Sequence, residues 1–178
     1  MIVVGIDPSL TSTGVAISGT PVQVARIQSK GTENDTWQQR FDRISAVAHQ
    51  IAADIPNGSL TVIEAPSYGS VGGAKHDRVG LWWFTYRLLE AKGCRIIPVA
   101  PSQRSKYATG SGRAHKDHVL AAAVKRYPDI DITGNDVADA VILMAMGCRL
   151  AGRPIDNVPA THLAALDKLE AIEEAADA

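Results

Sequence analysis

Four carboxylates stand where the local pattern calls for apolar side chains: Asp7 in GIDPS, Glu64 in TVIEAP, and Asp136 with Asp139 in NDVADA. Asp and Glu almost never enter a core unless they are paired or bind a cation, so three such intrusions point to one shared metal site. Gathered acids repel and raise one another's pKa, a conflict that divalent cations remove. A ligand set of oxygens, without His or Cys, favours hard ions such as Mg²⁺ or Mn²⁺ over zinc. Two such ions can activate a water and stabilise the leaving oxygen in phosphodiester hydrolysis. Taken singly, each acid has an ordinary explanation. Asp7 beside Pro8 and Ser9 fits an Asx turn, Glu64 a solvated strand end, Asp136 a helix N-cap, and Asp139 a first-turn acid favoured by the helix dipole. The joint pattern weighs against all of these together.

Convergence depends on the elements that carry the acids. Ile2 to Ile6 is a β-branched run too short for a helix, which predicts a buried strand ending at Asp7. Gly14 to Ser18 and Pro21 to Gln28 predict two more strands joined through Gly19-Thr20, an antiparallel meander. From Thr36 to about Asp54, Trp37, Phe41, Ile44, Ala48 and Ile51 recur at helical spacing, and Pro56-Asn57-Gly58 ends that helix. Leu60 to Ile63 forms a strand delivering Glu64, followed by the glycine-rich loop APSYGSVGGAK. A helix from about Asp77 to Ala91, a strand from Arg95 to Val99 and a helix opened by Pro101 follow. After a turn from Thr109 to Arg113 come helices from about His115 to Tyr127 and from Asp136 to Leu150. Alternating strand, helix and strand predicts parallel pairing in the middle of the chain. Asp136 and Asp139 are three apart and share a helix face, so all four acids converge if the first and fourth strands are neighbours. Leu163, Leu166, Leu169 and Ile172, with acids between them, predict an appended acidic helix over 161–178.

Length and composition agree with one α/β domain. The 178 residues, 46% of them hydrophobic, suffice for a core without disulfide or metal staples. Cys94 and Cys148 lie in apolar segments without metal-like spacing, which predicts buried reduced thiols and a cytoplasmic location. Apolar runs are only a few residues long and the N-terminus lacks a leader pattern, which argues against secretion or a membrane span. The net charge of -1 hides an uneven distribution. Between Lys75 and Arg126 stand eleven basic residues against three acidic ones, and the rest of the chain is acidic. A basic middle fits a surface that meets a polyanion, although charged helix faces alone would also produce it.

GIDPSLTSTGVAI, VIEAP, VAPSQRSKYATGSGRAHKDHV and NDVADAVILMA together resemble a RuvC-type Holliday-junction resolvase (crossover junction endodeoxyribonuclease) of the ribonuclease H-like superfamily. The resemblance runs from about Ile2 to Leu150. It implies a ribonuclease H-like α/β fold, a five-stranded mixed sheet flanked by helices, over 1–150, with 151–178 as a linker and acidic helix. It also implies a homodimer that makes paired nicks in four-way DNA junctions, leaving 5′-phosphate and 3′-hydroxyl ends. Asp7, Glu64, Asp136 and Asp139 match the family's metal-binding catalytic acids, which hold two Mg²⁺, with Mn²⁺ as substitute. Lys116 matches a basic residue near the scissile phosphate. Ser105 stands where the family often has a lysine, with Lys106 as the neighbouring candidate. Tyr68 is the candidate for the family's junction-opening aromatic residue. Lys75, Arg78, Arg104, Lys106, Arg113 and Lys116 complete the expected DNA-binding set, and any helicase or recombination partner is left open.

Other classes are weighed on the same residues. GIDPSLTSTG also resembles the first phosphate loop of actin-like sugar kinases, but those need two related domains and a second such loop. A non-catalytic junction-binding protein would not need all four acids. A broader branched-DNA or flap nuclease keeps the same chemistry. His115 and His118 lack a third ligand and are expected at the surface, and Trp82, Trp83 and Phe84 in core or dimer interface.

Overall fold

Short β-branched runs become strands and the three-and-four spacings become helices in a computed structural model that describes residues 1–66 and 75–169. The order is β1 (Val3–Asp7), β2 (Ser12–Ile17), β3 (Gln23–Gln28), α1 (Trp37–Ala53), β4 (Leu60–Glu64) and α2 (Lys75–Ala91). It continues with β5 (Arg95–Val99), α3 (Pro101–Thr109), α4 (Lys116–Arg126), α5 (Asn135–Leu150) and a four-residue α6 (Ala160–Leu163). Local chemistry sets several boundaries. Thr36 and Gln39 form a reciprocal capping box at the start of α1. Pro101 opens α3, and Gly110 closes it with φ 81°, a left-handed value that glycine adopts without a Cβ penalty.

The five strands lie in the order β3-β2-β1-β4-β5. β1, β2 and β3 form the expected antiparallel meander, while β4 joins β1 and β5 joins β4 in parallel. Helices cover both faces, so the α/β architecture is a mixed sheet between helical layers. Val4, Ile6, Val15 and Ile63 pack under α1 and α2 with Ile51 and Leu81, whereas Val3, Leu60, Val62 and Val99 pack under α5. Strand alternation therefore fixes where the acids point. In β1, Val3 and Gly5 meet the α5 layer, and Asp7 continues that set; in β4, Leu60 and Val62 do so, and Glu64 follows. The parallel register pairs Ile6 with Ile63, so the next rung sets Asp7 beside Glu64.

α5 is buried along most of its length and lies directly on β1, β2 and β4. Its close approach needs glycine beneath it. A Cβ on Gly5 would enter the Ala140 carbonyl oxygen, and a Cβ on Gly14 the Asp136 carbonyl oxygen, both backbone atoms with no room to yield. Gly14 is also the residue that pairs with Asp7 across β1 and β2. Gly14→Ala should thus lift the start of α5 from the sheet, costing about 1–3 kcal/mol as an overpacked core site. Urea unfolding reads that loss, and an unchanged midpoint would show that α5 has slack there.

The segment after Leu150, assigned above to a linker and tail, is packed against the domain as far as Leu169. Val158, Ala165, Leu166 and Leu169 join the α5-side core. Asp156, with its side chain 1% exposed, accepts hydrogen bonds from Tyr107, Tyr127 and Arg149. The continuous acidic helix expected from 161 is not formed in the described residues: α6 ends at Leu163, a turn takes 164–166 as Ala165 and Leu166 pack inward, and helical residues resume only at 167–169, the positions beyond lying outside the described residues. Both cysteines are free thiols, and no helix among the described residues is long and apolar enough to cross a membrane.

Candidate active site

The four acids meet at one end of the sheet. β1 and β4 deliver Asp7 and Glu64 side by side, and the first turns of α5 lay Asp136 and Asp139 over them. Trp82 of α2, buried, donates its indole N–H to the Glu64 carbonyl at 2.9 Å and pins that strand end. Beside the acids opens a cleft of about 320 Å³ whose walls include Asp7, Glu64, Trp82, Lys75, Arg78 and Lys116. Carboxylates and cations thus line one hollow, the combination that a phosphate-bearing substrate and its metal ions require.

Inside the cluster a guanidinium is already in place. Arg104 of α3 is 6% exposed; its Nε donates to Glu64 Oε2 at 2.5 Å, and its Nη1 donates to Asp139 Oδ1. Asp136 is engaged from the other side. Ser12 donates its hydroxyl to Asp136 Oδ2 at 2.5 Å, and Arg26 donates Nε–H to Ser12 Oγ at 2.7 Å while standing 3.5 Å from the same carboxylate. These three partners are absent from the sequence-derived catalytic set. Arg26 pairs with Gly14 across β2 and β3, a register that only the folded sheet reveals.

Electrostatics show how incomplete that neutralisation is. Burial, then the charges of Glu64 and Asp139, hold Asp7 well above the usual carboxylate range, although Arg104 pulls the other way. Burial pushes Asp139 up to about 7 despite the opposing charges of Arg104 and Lys116. Arg104 itself stays charged, because Glu64 and Asp139 outweigh the burial that disfavours its cation. Asp7 and Asp139 therefore hold their protons more tightly than free carboxyls, a further cation would displace them, and the oxygen donors of the cluster suit a hard divalent ion. As the side chains stand, with Arg104 among them, no three acids, histidines or cysteines of the described residues are gathered tightly enough to hold one.

The direction of these shifts sets a pH dependence. Unfolded Asp139 loses its proton near 3.8 and the folded residue near 7, so between those values the folded state binds the extra proton. Stability should fall as pH rises through that window. Thermal melts in EDTA from about pH 4 to 7 read it, because 3.8 and about 7 bound the window. A rising Tm across the window would contradict the burial of an ionisable Asp139.

The other expected site residues are distributed as follows. Lys75, Arg78, Arg113 and Lys116 are exposed, and all but Arg113 line the acid-bearing cleft. Arg104 is interior rather than surface-facing. Lys106 lies in a separate hollow with Gly112, Asp167 and Lys168, away from the acids, and Ser105 is buried. Tyr68 lies outside the described residues. His115 and His118 are exposed, His115 as the N-cap of α4. Trp82 is core, whereas Trp83 is 59% exposed.

No family model and no curated protein matches the chain. Solved structures do. The Thermus thermophilus RuvC structure aligns at a TM-score of 0.60 and 16% identity over 86% of this chain and 98% of that one. T. thermophilus RuvC in complex with a Holliday junction substrate aligns at 0.59 and 18% identity, covering 81% and 90%. The chain has the RuvC-type, ribonuclease H-like fold.

Proposed function

We propose that the protein is a metal-dependent, structure-selective DNA endonuclease that resolves four-way junctions. The observation that carries this reading is the meeting of Asp7, Glu64, Asp136 and Asp139 at one sheet end, beside a cleft walled by Lys75, Arg78 and Lys116. The RuvC fold, seen in one relative with a Holliday junction bound, supports it. Asp7, Glu64, Asp136 and Asp139 would hold two Mg²⁺, or Mn²⁺. When bound, these ions would supply the charge that activates a water and stabilises the leaving oxygen.

The chain's own residues do the rest. Lys75 and Arg78, at the entry of α2, receive the phosphate backbone, and Lys116 places positive charge where the attacked phosphate becomes more anionic. Trp82 keeps Glu64 from drifting while DNA enters. The products are a 5′-phosphate and a 3′-hydroxyl at each nick. Paired nicks need two copies, and Trp37 and Phe41 of α1 and Trp83 of α2 are exposed aromatic side chains of the kind that a homodimer interface buries.

The test is cleavage of a labelled immobile four-way junction and its matched linear duplex, with and without Mg²⁺. Symmetric nicks in the junction alone are expected, with Lys116→Ala slowing them by about 10²-fold, as when one charge-stabilising donor is lost. Equal cutting of forks and flaps would move the assignment to a broader branched-DNA nuclease. Tight junction binding without cleavage in Mg²⁺ or Mn²⁺ would make it a binding protein.

A further inference from the structure

We infer that Arg104 is a built-in counter-cation of the acid cluster, which occupies Glu64 and Asp139 when no metal is present and must withdraw before a divalent ion can use them. The inference rests on the proposed metal-dependent reading and concerns how that site is loaded.

The geometry is that of a bridging ligand. One guanidinium contacts two carboxylates from two different elements, Glu64 at the end of β4 and Asp139 in α5, with Nε on one and Nη1 on the other. Both partners are nearly as buried as the arginine; the Arg104 and Asp139 side chains are each 7% exposed and Glu64 16%. A guanidinium directs its N–H groups along fixed lines in a plane, whereas Mg²⁺ draws oxygens to about 2.1 Å on all sides. Bridging Glu64 Oε2 and Asp139 Oδ1, the guanidinium stands between the two carboxylates, in the place that an ion shared by them would take. Without a cation, Asp7, Glu64 and Asp139 would share a buried space as unbalanced charges, so removing the arginine leaves a deficit that metal can fill.

Arg104 is held at its root by α3, and among the described residues the hydrogen bonds of its tip go to these two acids. Gln103, its neighbour, accepts the Ala100 N–H at 3.0 Å and donates to the Ala165 carbonyl, which fixes the start of α3. Tyr107, one turn on, is anchored through Asp156. The helix therefore stays put while the long side chain exchanges partners. Neither neighbour shares this place, since Ser105 is a short buried side chain and Lys106 lines a separate hollow with Asp167 and Lys168.

The experiment titrates Mn²⁺ into full-length wild type, Arg104→Gln and Arg104→Lys at neutral pH without DNA, followed by calorimetry and by the Mn²⁺ EPR signal. Arg104→Gln should bind about tenfold tighter or more, and Arg104→Lys should fall between it and wild type, because one ammonium covers two carboxylates less completely. In EDTA, Arg104→Gln should melt below wild type, and Mn²⁺ should restore it. A wholly structural salt bridge predicts the stability loss without tighter binding, so equal or weaker Mn²⁺ affinity in Arg104→Gln overturns the inference.

Wild-type protein gives a second decision that does not depend on a variant folding. In spectra of ¹⁵N-labelled arginine, the Arg104 Nε–H should be protected from solvent exchange and should lose that protection as Mg²⁺ is added. Retained protection at Mg²⁺ saturation overturns the inference while leaving the nuclease reading intact. Absence of Mn²⁺ binding by wild type and both variants overturns the metal-site reading and the inference together.

Discussion

Asp7→Asn should abolish junction cleavage while junction binding persists. Asp7 ends β1 beside Glu64 and opposite Gly14, on which the start of α5 packs closely. Replacing one carboxylate oxygen by an amide removes a charged donor from the centre of the set and changes little in volume. If metal activation and charge stabilisation together supply several kcal/mol, the rate should drop about 10³-fold or more. The fold should tolerate the change well. Asp7 sits high in its proton affinity because burial and neighbouring acids disfavour its charge, so the neutral amide relieves repulsion in metal-free protein. Gel-shift assays in EDTA and cleavage assays in Mg²⁺ read the two effects separately. A cleaving Asp7→Asn enzyme would remove the metal-site assignment at its root. Both the binding and its loss with salt should match wild type, because counterion release belongs to the basic wall rather than to the acids.

The largest loss of stability should come from a residue far from the chemistry. Asp156 accepts the Tyr107 hydroxyl at 2.8 Å, the Tyr127 hydroxyl at 2.5 Å and Arg149 Nη2 at 2.7 Å, with Arg126 at 3.8 Å. Burial, joined by Asp156 itself, raises both phenols well above their ordinary range, so they remain donors at any working pH. Asp156→Ala would leave Arg149 and two buried hydroxyls without their acceptor. Removing one partner of such a network costs about 3–5 kcal/mol. For a domain of this size that is a fall in Tm of about 10 °C, at a few degrees per kcal/mol. Differential scanning calorimetry of full-length protein measures it, and a shift under about 2 °C, less than one kcal/mol, would mean that water replaces the carboxylate freely.

The acids were legible because each is an exception to a local pattern. Asp7 and Glu64 terminate apolar strand runs, and Asp136 and Asp139 interrupt an apolar helix at a spacing that keeps one face. The strands, the antiparallel meander, the later parallel pairing and the helices followed from the same periodicities, with boundaries within a few residues, whereas β1 beside β4 stood only as a condition and the five-stranded mixed sheet came from the family resemblance. Arg104, Ser12 and Arg26 were not legible as partners of the acids. Their roles depend on which rung of β3 lies beside Gly14 and on how α3 is rotated, both fixed by packing between distant segments. In the sequence Arg104 is one of eleven cations between Lys75 and Arg126, with nothing local to single it out. Asp156 was hidden for a related reason. An acid in a stretch without periodicity reads as solvated until its tyrosines and arginine are seen around it.

The alternation that aims Asp7 and Glu64 at α5 makes the site sensitive to counting rather than to composition. Val3 and Leu60 can exchange for other apolar residues with the usual packing costs, and the acids still face the same way. One residue added within β1 or β4 acts differently, because it reverses every side chain beyond it and turns the carboxylate towards α1 and α2. The chemistry is thus written in an odd-even frame, and length changes in related chains should collect in the loops between these strands while their spans hold constant.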